Sequence, residues 1–156
     1  MSDYRLVADT PAPASAPIAN DGFLPDIDVA SFREVSRIRD AVTAPRAREA
    51  LIGAMISAAR DLAPWVAARR AEGAATLADV EAPTIDGQSI LVHAYRRAIF
   101  CYAKADLVER YRDVDTTQAG QRRAEDLDET PGELRRDALH AIRDMLGVGR
   151  TAVELI

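Results

Sequence analysis

The sequence predicts an all-α protein, a small helical bundle with extended segments at both ends. Apolar residues recur at steps of three and four in several long segments, which is the spacing of one helix face. These segments begin at residues that cap helices, such as Thr43 and Thr130. Prolines concentrate near the N-terminus, at Pro11, Pro13 and Pro17, where they oppose helix formation.

Length and composition are typical of one globular domain with a tail. The chain has 156 residues, of which 48% are hydrophobic and 29% are charged. Its net charge of -5 excludes a generally basic nucleic-acid-binding protein, although it allows a local basic face. The single cysteine, Cys101, cannot form an internal disulfide or a multi-thiolate metal site, which indicates a reducing compartment.

Neither a signal peptide nor a membrane-spanning helix is expected. Asp3, Arg5 and Asp9 interrupt the N-terminal stretch that would have to be apolar in a signal peptide. The longest apolar run, from Ala98 to Ala103, is far shorter than the roughly 20 residues that span a bilayer. We therefore expect a soluble protein, made inside the cell, with no membrane partner.

Residues 1–22 are predicted to form an extended N-terminal tail that ends at the turn signal Asn20-Asp21-Gly22. Three apolar residues then follow as the first anchors on the core: Phe23, Leu24 and Ile27. A short helix is predicted from about 29 to 40, because apolar residues recur there at three-residue spacing behind the candidate caps Asp28 and Ser31.

A long helix is predicted from about 45 to 72. Thr43 is a suitable N-cap, and Pro45 is tolerated in the first turn, where its missing N–H costs nothing. Pro64 removes a backbone hydrogen bond inside this helix, so a kink is expected one turn upstream. Gly73 is a natural C-terminal stop.

A connector over residues 74–88 leads to a helix predicted from about 88 to 112. Its middle is apolar almost all round, so we expect it to be the central, buried helix. Residues 113–129 are polar and acidic, and Gly120 weakens any helix there.

The last helix is predicted from about 131 to 146, because Thr130, Pro131 and Glu133 form a capping-box pattern. Residues 147–156 are predicted to be an extended C-terminal arm, freed by Gly147 and Gly149. The helical domain is therefore expected to span residues 23–146.

Catalytic and metal-binding constellations are not evident in the sequence. His93 and His140 lack companions at metal-ligand spacing, and Cys101 has no partner base that would make it a nucleophile. No cofactor, metal or catalytic residue is predicted, so the chain is not expected to be an enzyme. Arginine pairs recur, but interleaved acids favour ion-pair faces over a nucleic-acid interface. A helical DNA-binding or regulatory accessory protein stays open as the alternative.

From Phe23 onward, short segments in a fixed order and spacing resemble the phage head completion family, the L-type proteins of temperate contractile-tailed phages. The clearest segments are Phe23-Leu-Pro-Asp-Ile-Asp28, Ala44-Pro-Arg-Ala-Arg-Glu-Ala-Leu51, Thr76-Leu-Ala-Asp-Val80, Ile85-Asp-Gly-Gln-Ser-Ile90, Glu109-Arg-Tyr-Arg-Asp-Val-Asp115, Ala124-Glu-Asp-Leu-Asp-Glu-Thr130 and Glu133-Leu-Arg-Arg-Asp137. None of these segments is a catalytic signature.

The resemblance implies a structural virion protein of the head-tail neck, assembled in the host cytoplasm. Its implied partners are the phage portal protein, copies of itself in a ring expected to be a dodecamer, and a tail-side neck or terminator protein. Packaged DNA would pass through the ring without sequence-specific binding. A C-terminal arm is expected to grip the portal, through Arg150, Thr151, Val153, Leu155 and Ile156.

Contacts between subunits of the ring are expected to join arginine pairs with acids of the polar segment. The candidate residues are Arg96, Arg97, Arg122, Arg123, Glu125 and Asp126.

Overall fold

The computed structural model describes residue 13, residues 16–112 and residues 129–148. Four helices dominate these residues, which confirms the predicted all-α class. The helices are α1 (Val29–Val35), α2 (Ala44–Ala71), α3 (Ile90–Arg112) and α4 (Pro131–Met145). A 3-10 turn at Leu77–Asp79 and a minimal antiparallel hairpin, β1 (Thr84–Ile85) and β2 (Gln88–Ser89), connect α2 to α3.

Helix α3 lies between α2 and α4 and packs extensively against both. Its side chains Tyr95, Ala98 and Ile99 have no exposed surface at all. Phe100 packs against Phe32 of α1, with ring centroids 5.3 Å apart. The central position predicted for this helix follows from its apolar middle, which must be covered on more than one side.

Helix α2 buries one face against this core and runs through Pro64 as a single helix of 28 residues. Its buried stripe includes Leu51, Ala58 and Leu62. By length and composition alone this helix is apolar enough to cross a membrane. About a third of its most apolar stretch is buried in the described fold, and the rest of that stretch is not buried.

The first helix is shorter than predicted and ends at Val35 rather than near residue 40. Asp28 caps its start, since the Asp28 carboxylate accepts hydrogen bonds from the N–H groups of Ala30 and Ser31. Arg37 has a φ of 53°, in the left-handed region, and this reverses the chain. The N–H of Ile38 then donates to the Arg33 carbonyl, five positions earlier, instead of to a carbonyl four positions earlier as in a continuing helix.

Part of the predicted tail belongs to the core. Ile18 is buried and forms two backbone hydrogen bonds with Ile27, at 2.8 and 3.0 Å. Pro17 lies in non-helical backbone, but it does not keep residues 16–22 away from the domain. Ile18 therefore belongs to the hydrophobic core, five residues ahead of Phe23, where the helical domain was expected to start.

The connector after α2 contains a β-hairpin that was not predicted from the sequence. Asp86 and Gly87 have φ values of 51° and 70°, the pair of positive angles typical of a tight hairpin turn. The hairpin delays the start of α3 to Ile90, two residues after the predicted boundary.

The predicted cap of the last helix is confirmed. Thr130 accepts from the N–H of Glu133, while the Glu133 carboxylate accepts from the N–H of Thr130. Gly147 follows the helix with a φ of 69°. The predictions for residues 113–128 and for the arm beyond Val148 lie outside the described residues.

Candidate interaction surfaces

A groove of about 360 Å³ lies where the end of α1 meets α3 and the start of α4, and we call it the α1–α3 groove. Its lining residues are Ser31, Val35, Ser36, His93, Arg96, Arg97, Phe100, Cys101, Lys104, Glu129 and Leu134. Val35 is 69% exposed at its edge, because α1 ends there instead of continuing over α3. Both predicted interface arginines of α3 thus lie in one groove beside exposed apolar surface.

The cations of this groove differ in their partners. Arg97 forms an ion pair with Asp137 of α4 at 3.5 Å, and Lys104 pairs with Glu129 at 3.0 Å. Such pairs at a surface stabilise the fold little, because water already solvates both ions. Arg96 has no ion pair or hydrogen bond among the described residues, so it is the cation most available to an external anion.

Cys101 and His93 also line this groove. Burial raises the pKa of the Cys101 thiol, and the charge of Arg97 opposes that effect only in part. A raised pKa keeps the thiol protonated at neutral pH, which is the unreactive form. The Nε2 atom of His93 lies 2.9 Å from the Ile85 carbonyl oxygen, so His93 fixes the hairpin onto α3.

A second, larger groove of about 940 Å³ lies between the first half of α2 and the second half of α3, and we call it the α2–α3 groove. Its floor contains Ala54, Tyr102 and Leu107. Two ion pairs, Arg110 with Asp106 at 3.0 Å and Arg135 with Glu109, lie along its edge. The predicted interface positions did not include this groove, because it is formed by helices distant in sequence.

The described residues hold no group of three or more His, Cys, Asp or Glu side chains that could bind a metal ion. Among the predicted interface residues, only Arg96 and Arg97 fall within the part of the chain that the structure describes. The other four interface candidates and the five arm residues between 150 and 156 lie outside it. The contacts of the four with Arg96 and Arg97 of a neighbouring copy, and of the arm with the portal, stay predictions.

The described geometry is that of a small helical protein whose open grooves, edged by charged side chains, offer surfaces for polar contacts of the kind found at the rims of protein interfaces. Comparison with known proteins identifies the family. The model of the phage head completion protein (GPL) family matches residues 18–156, and the chain belongs to this family. The match begins at Ile18, the first buried residue in the described part of the chain.

Two curated relatives cover most of the chain. The head completion/stabilization protein of Escherichia phage P2 is 38% identical over 151 residues, which is 97% of this chain and 89% of that protein. The probable head completion/stabilization protein of Haemophilus phage HP1 is 27% identical over 139 residues, 89% of this chain and 91% of that protein. No solved structure matches the chain. The resemblance found in the sequence is thus confirmed, and the protein is a structural virion component that acts in head completion.

Proposed function

We propose that this head completion protein is a connector adaptor, which binds the portal vertex after DNA packaging and forms a ring that prepares the head for tail attachment. The observation that carries the proposal is the family match over residues 18–156, which includes the whole helical domain and the C-terminal arm. The proposed partners are the portal protein, a dodecameric ring of further copies, and a tail-side neck or terminator protein. DNA would pass through the ring without sequence-specific contacts.

The geometry at the end of α4 supports the arm as the portal anchor. Gly147 is exposed, with a φ of 69°, and Val148 is 48% exposed, so the chain leaves α4 at the surface of the domain. The arm that follows alternates apolar and polar residues from Val153 to Leu155. An alternating segment can add a strand to an exposed sheet edge, where main-chain bonds supply affinity and alternate side chains supply fit.

The α1–α3 groove supports lateral contacts between copies on the portal. Arg96 is half-buried there, without an ion pair among the described residues, and exposed Val35 lies beside it. Acids of a neighbouring copy, among them Glu125 and Asp126, are the proposed partners of the arginines. Weak contacts of this kind gain from the high effective concentration of copies already bound in a circle.

Gel filtration with purified portal tests this proposal against the DNA-binding alternative. The adaptor should elute with the portal, whereas a DNA-binding accessory protein should elute alone and should instead shift a DNA fragment. The free protein should be monomeric or only loosely associated. A ring that forms without portal and persists in high salt would contradict assembly through weak, charged contacts.

A further inference from the structure

The outward face of α2 has features that the isolated domain does not explain. Glu49, Gly53, Ile56 and Arg60 are all exposed, and their spacing places them on one line opposite the buried stripe. Glu49 and Gly53, at one end of this line, also border the α2–α3 groove. Ile56 is 49% exposed at the centre of this line. We call these four residues the α2 outer line.

Glycine at position 53 is unfavourable for the helix itself, since a helix interior favours alanine over glycine. Its φ is not in the left-handed region, and a Cβ added there would meet no atom within 4 Å. The fold of one chain therefore does not require glycine. Glycine inside a helix also allows another backbone or a large side chain to approach closely.

The charges at the two ends of the outer line lack partners. Neither Glu49 nor Arg60 forms an ion pair or hydrogen bond among the described residues. They cannot meet each other, because eleven residues of helix separate them by about 16 Å. Each is therefore available to a charge supplied by another molecule.

We infer that the α2 outer line binds the same line of a second copy, with the two helices antiparallel about a two-fold axis. In this register Glu49 faces Arg60 of the second copy, and Gly53 faces Ile56 of the second copy. Symmetry repeats both contacts, so two ion pairs flank two apolar side chains that fill the spaces left by glycine. A parallel arrangement would instead place like charges together.

This two-fold contact goes beyond the proposed ring. A closed ring uses two different surfaces of each subunit, whereas the α2 contact uses the same surface twice. It therefore describes the free protein, and it is weak because one helix face is a small interface. Its test needs no portal, so its failure would leave the proposed function unaffected.

Charge reversal tests the contact in the full-length chain. Sedimentation equilibrium at low salt, up to about 1 mM protein, should detect a dimer of the unaltered chain. Glu49→Arg and Arg60→Glu should each weaken dimerisation by at least about tenfold, because each places like charges face to face. The double variant E49R/R60E should restore it. Arg136→Glu, which makes the same charge change as Arg60→Glu on the exposed surface of α4, is the matched control for that variant and should have no effect on dimerisation.

Gly53→Leu provides an independent test of the apolar contact. Leucine should fill the space that Ile56 of the second copy needs and abolish the dimer, without lowering the melting temperature of the chain. A chain that stays monomeric up to about 1 mM would overturn the inference. Dimers that survive the single charge reversals, or that the double variant fails to restore, would equally overturn it.

Discussion

The Nδ2 amide of Asn20 donates a hydrogen bond of 2.8 Å to the hydroxyl of Tyr95, although 75 positions separate the two residues. Tyr95 lies in the second turn of α3 with no exposed surface. The same Asn20 amide also donates to the Pro25 carbonyl at 3.2 Å. One side chain thus joins the segment before α1 to the central helix, and among the described residues it is the one hydrogen-bond partner of the buried hydroxyl.

Removing that amide should destabilise the fold. Asn20→Ala removes the hydrogen bond to the buried Tyr95 hydroxyl. The free energy of unfolding, measured in urea, should therefore fall by about 1 to 3 kcal/mol. Tyr95→Phe is the partner variant in a double-mutant cycle. The Asn20→Ala effect should be clearly smaller in the Tyr95→Phe background. Equal effects in both backgrounds would show that the two side chains are not coupled.

Tyr95 should also make the protein less stable at alkaline pH. Burial raises the pKa of Tyr95 from 10.0 to about 12, and the charge of Asp21 adds to this effect against the Asn20 hydrogen bond. Folding favours the neutral phenol. The contribution of Tyr95 to the free energy of unfolding is therefore fully present below pH 10 and is lost as pH rises toward 12. The complete loss is about 2 to 3 kcal/mol, since one pKa unit corresponds to about 1.4 kcal/mol.

Urea unfolding at pH 9 and pH 11 measures this dependence. Between these pH values the free energy of unfolding should fall by about 1 kcal/mol more for the unaltered chain than for Tyr95→Phe, because the phenylalanine variant has no proton to lose at this position. Comparing the two chains removes the contribution of Tyr102, whose pKa burial also raises. Parallel losses in the two chains would be inconsistent with a buried, neutral Tyr95.

A charge placed at Ala98 should disrupt the core. Ala98 is fully buried in α3, so Ala98→Glu forces a carboxylate into a site without a partner and should destabilise by several kcal/mol. Ala68→Glu, on the exposed surface of α2, is the matched control and should change stability little. Thermal unfolding followed by circular dichroism checks both. A wild-type melting temperature for Ala98→Glu would contradict the central position of α3.

Deleting residues 150–156 should separate folding from portal binding. The deletion begins beyond the last described residue of the domain, so the helical signal and melting temperature should stay nearly unchanged. Portal binding and head completion should be abolished. A truncated chain that binds portal with full affinity, or that unfolds, would show that the arm is not the portal anchor.

The sequence predicted the three long helices closely because their limits depend on local chemistry. Thr130 and Glu133 form a capping box within one helical turn, and Pro45 lies in the first turn of α2 behind Thr43, which occupies the N-cap position without a side-chain hydrogen bond. The observed helices begin within two residues of the expected positions. The predicted end of α1, near residue 40, was wrong because Arg37 adopts a left-handed conformation that its residue type does not predict. Burial of Ile18 was missed because it depends on Ile27, a partner across a turn.

The candidate surfaces were harder to predict than the helices. Arg96 and Arg97 were selected as an adjacent pair, yet in the structure Arg97 faces Asp137, a residue of another helix. The α2–α3 groove joins residues such as Glu49 and Arg110, which only the packing of α2 on α3 brings together. Helix limits follow from neighbours in sequence, whereas grooves and ion pairs follow from tertiary contacts.

Equilibrium binding to purified portal, with the mass of the complex measured by analytical ultracentrifugation, tests the adaptor proposal most directly. The proposal predicts saturable binding, with one copy of this chain for each portal subunit in a closed ring. It also predicts that the full chain binds portal in preference to DNA. Absence of binding to portal at saturating concentration, or binding to DNA alone, would contradict the proposed function.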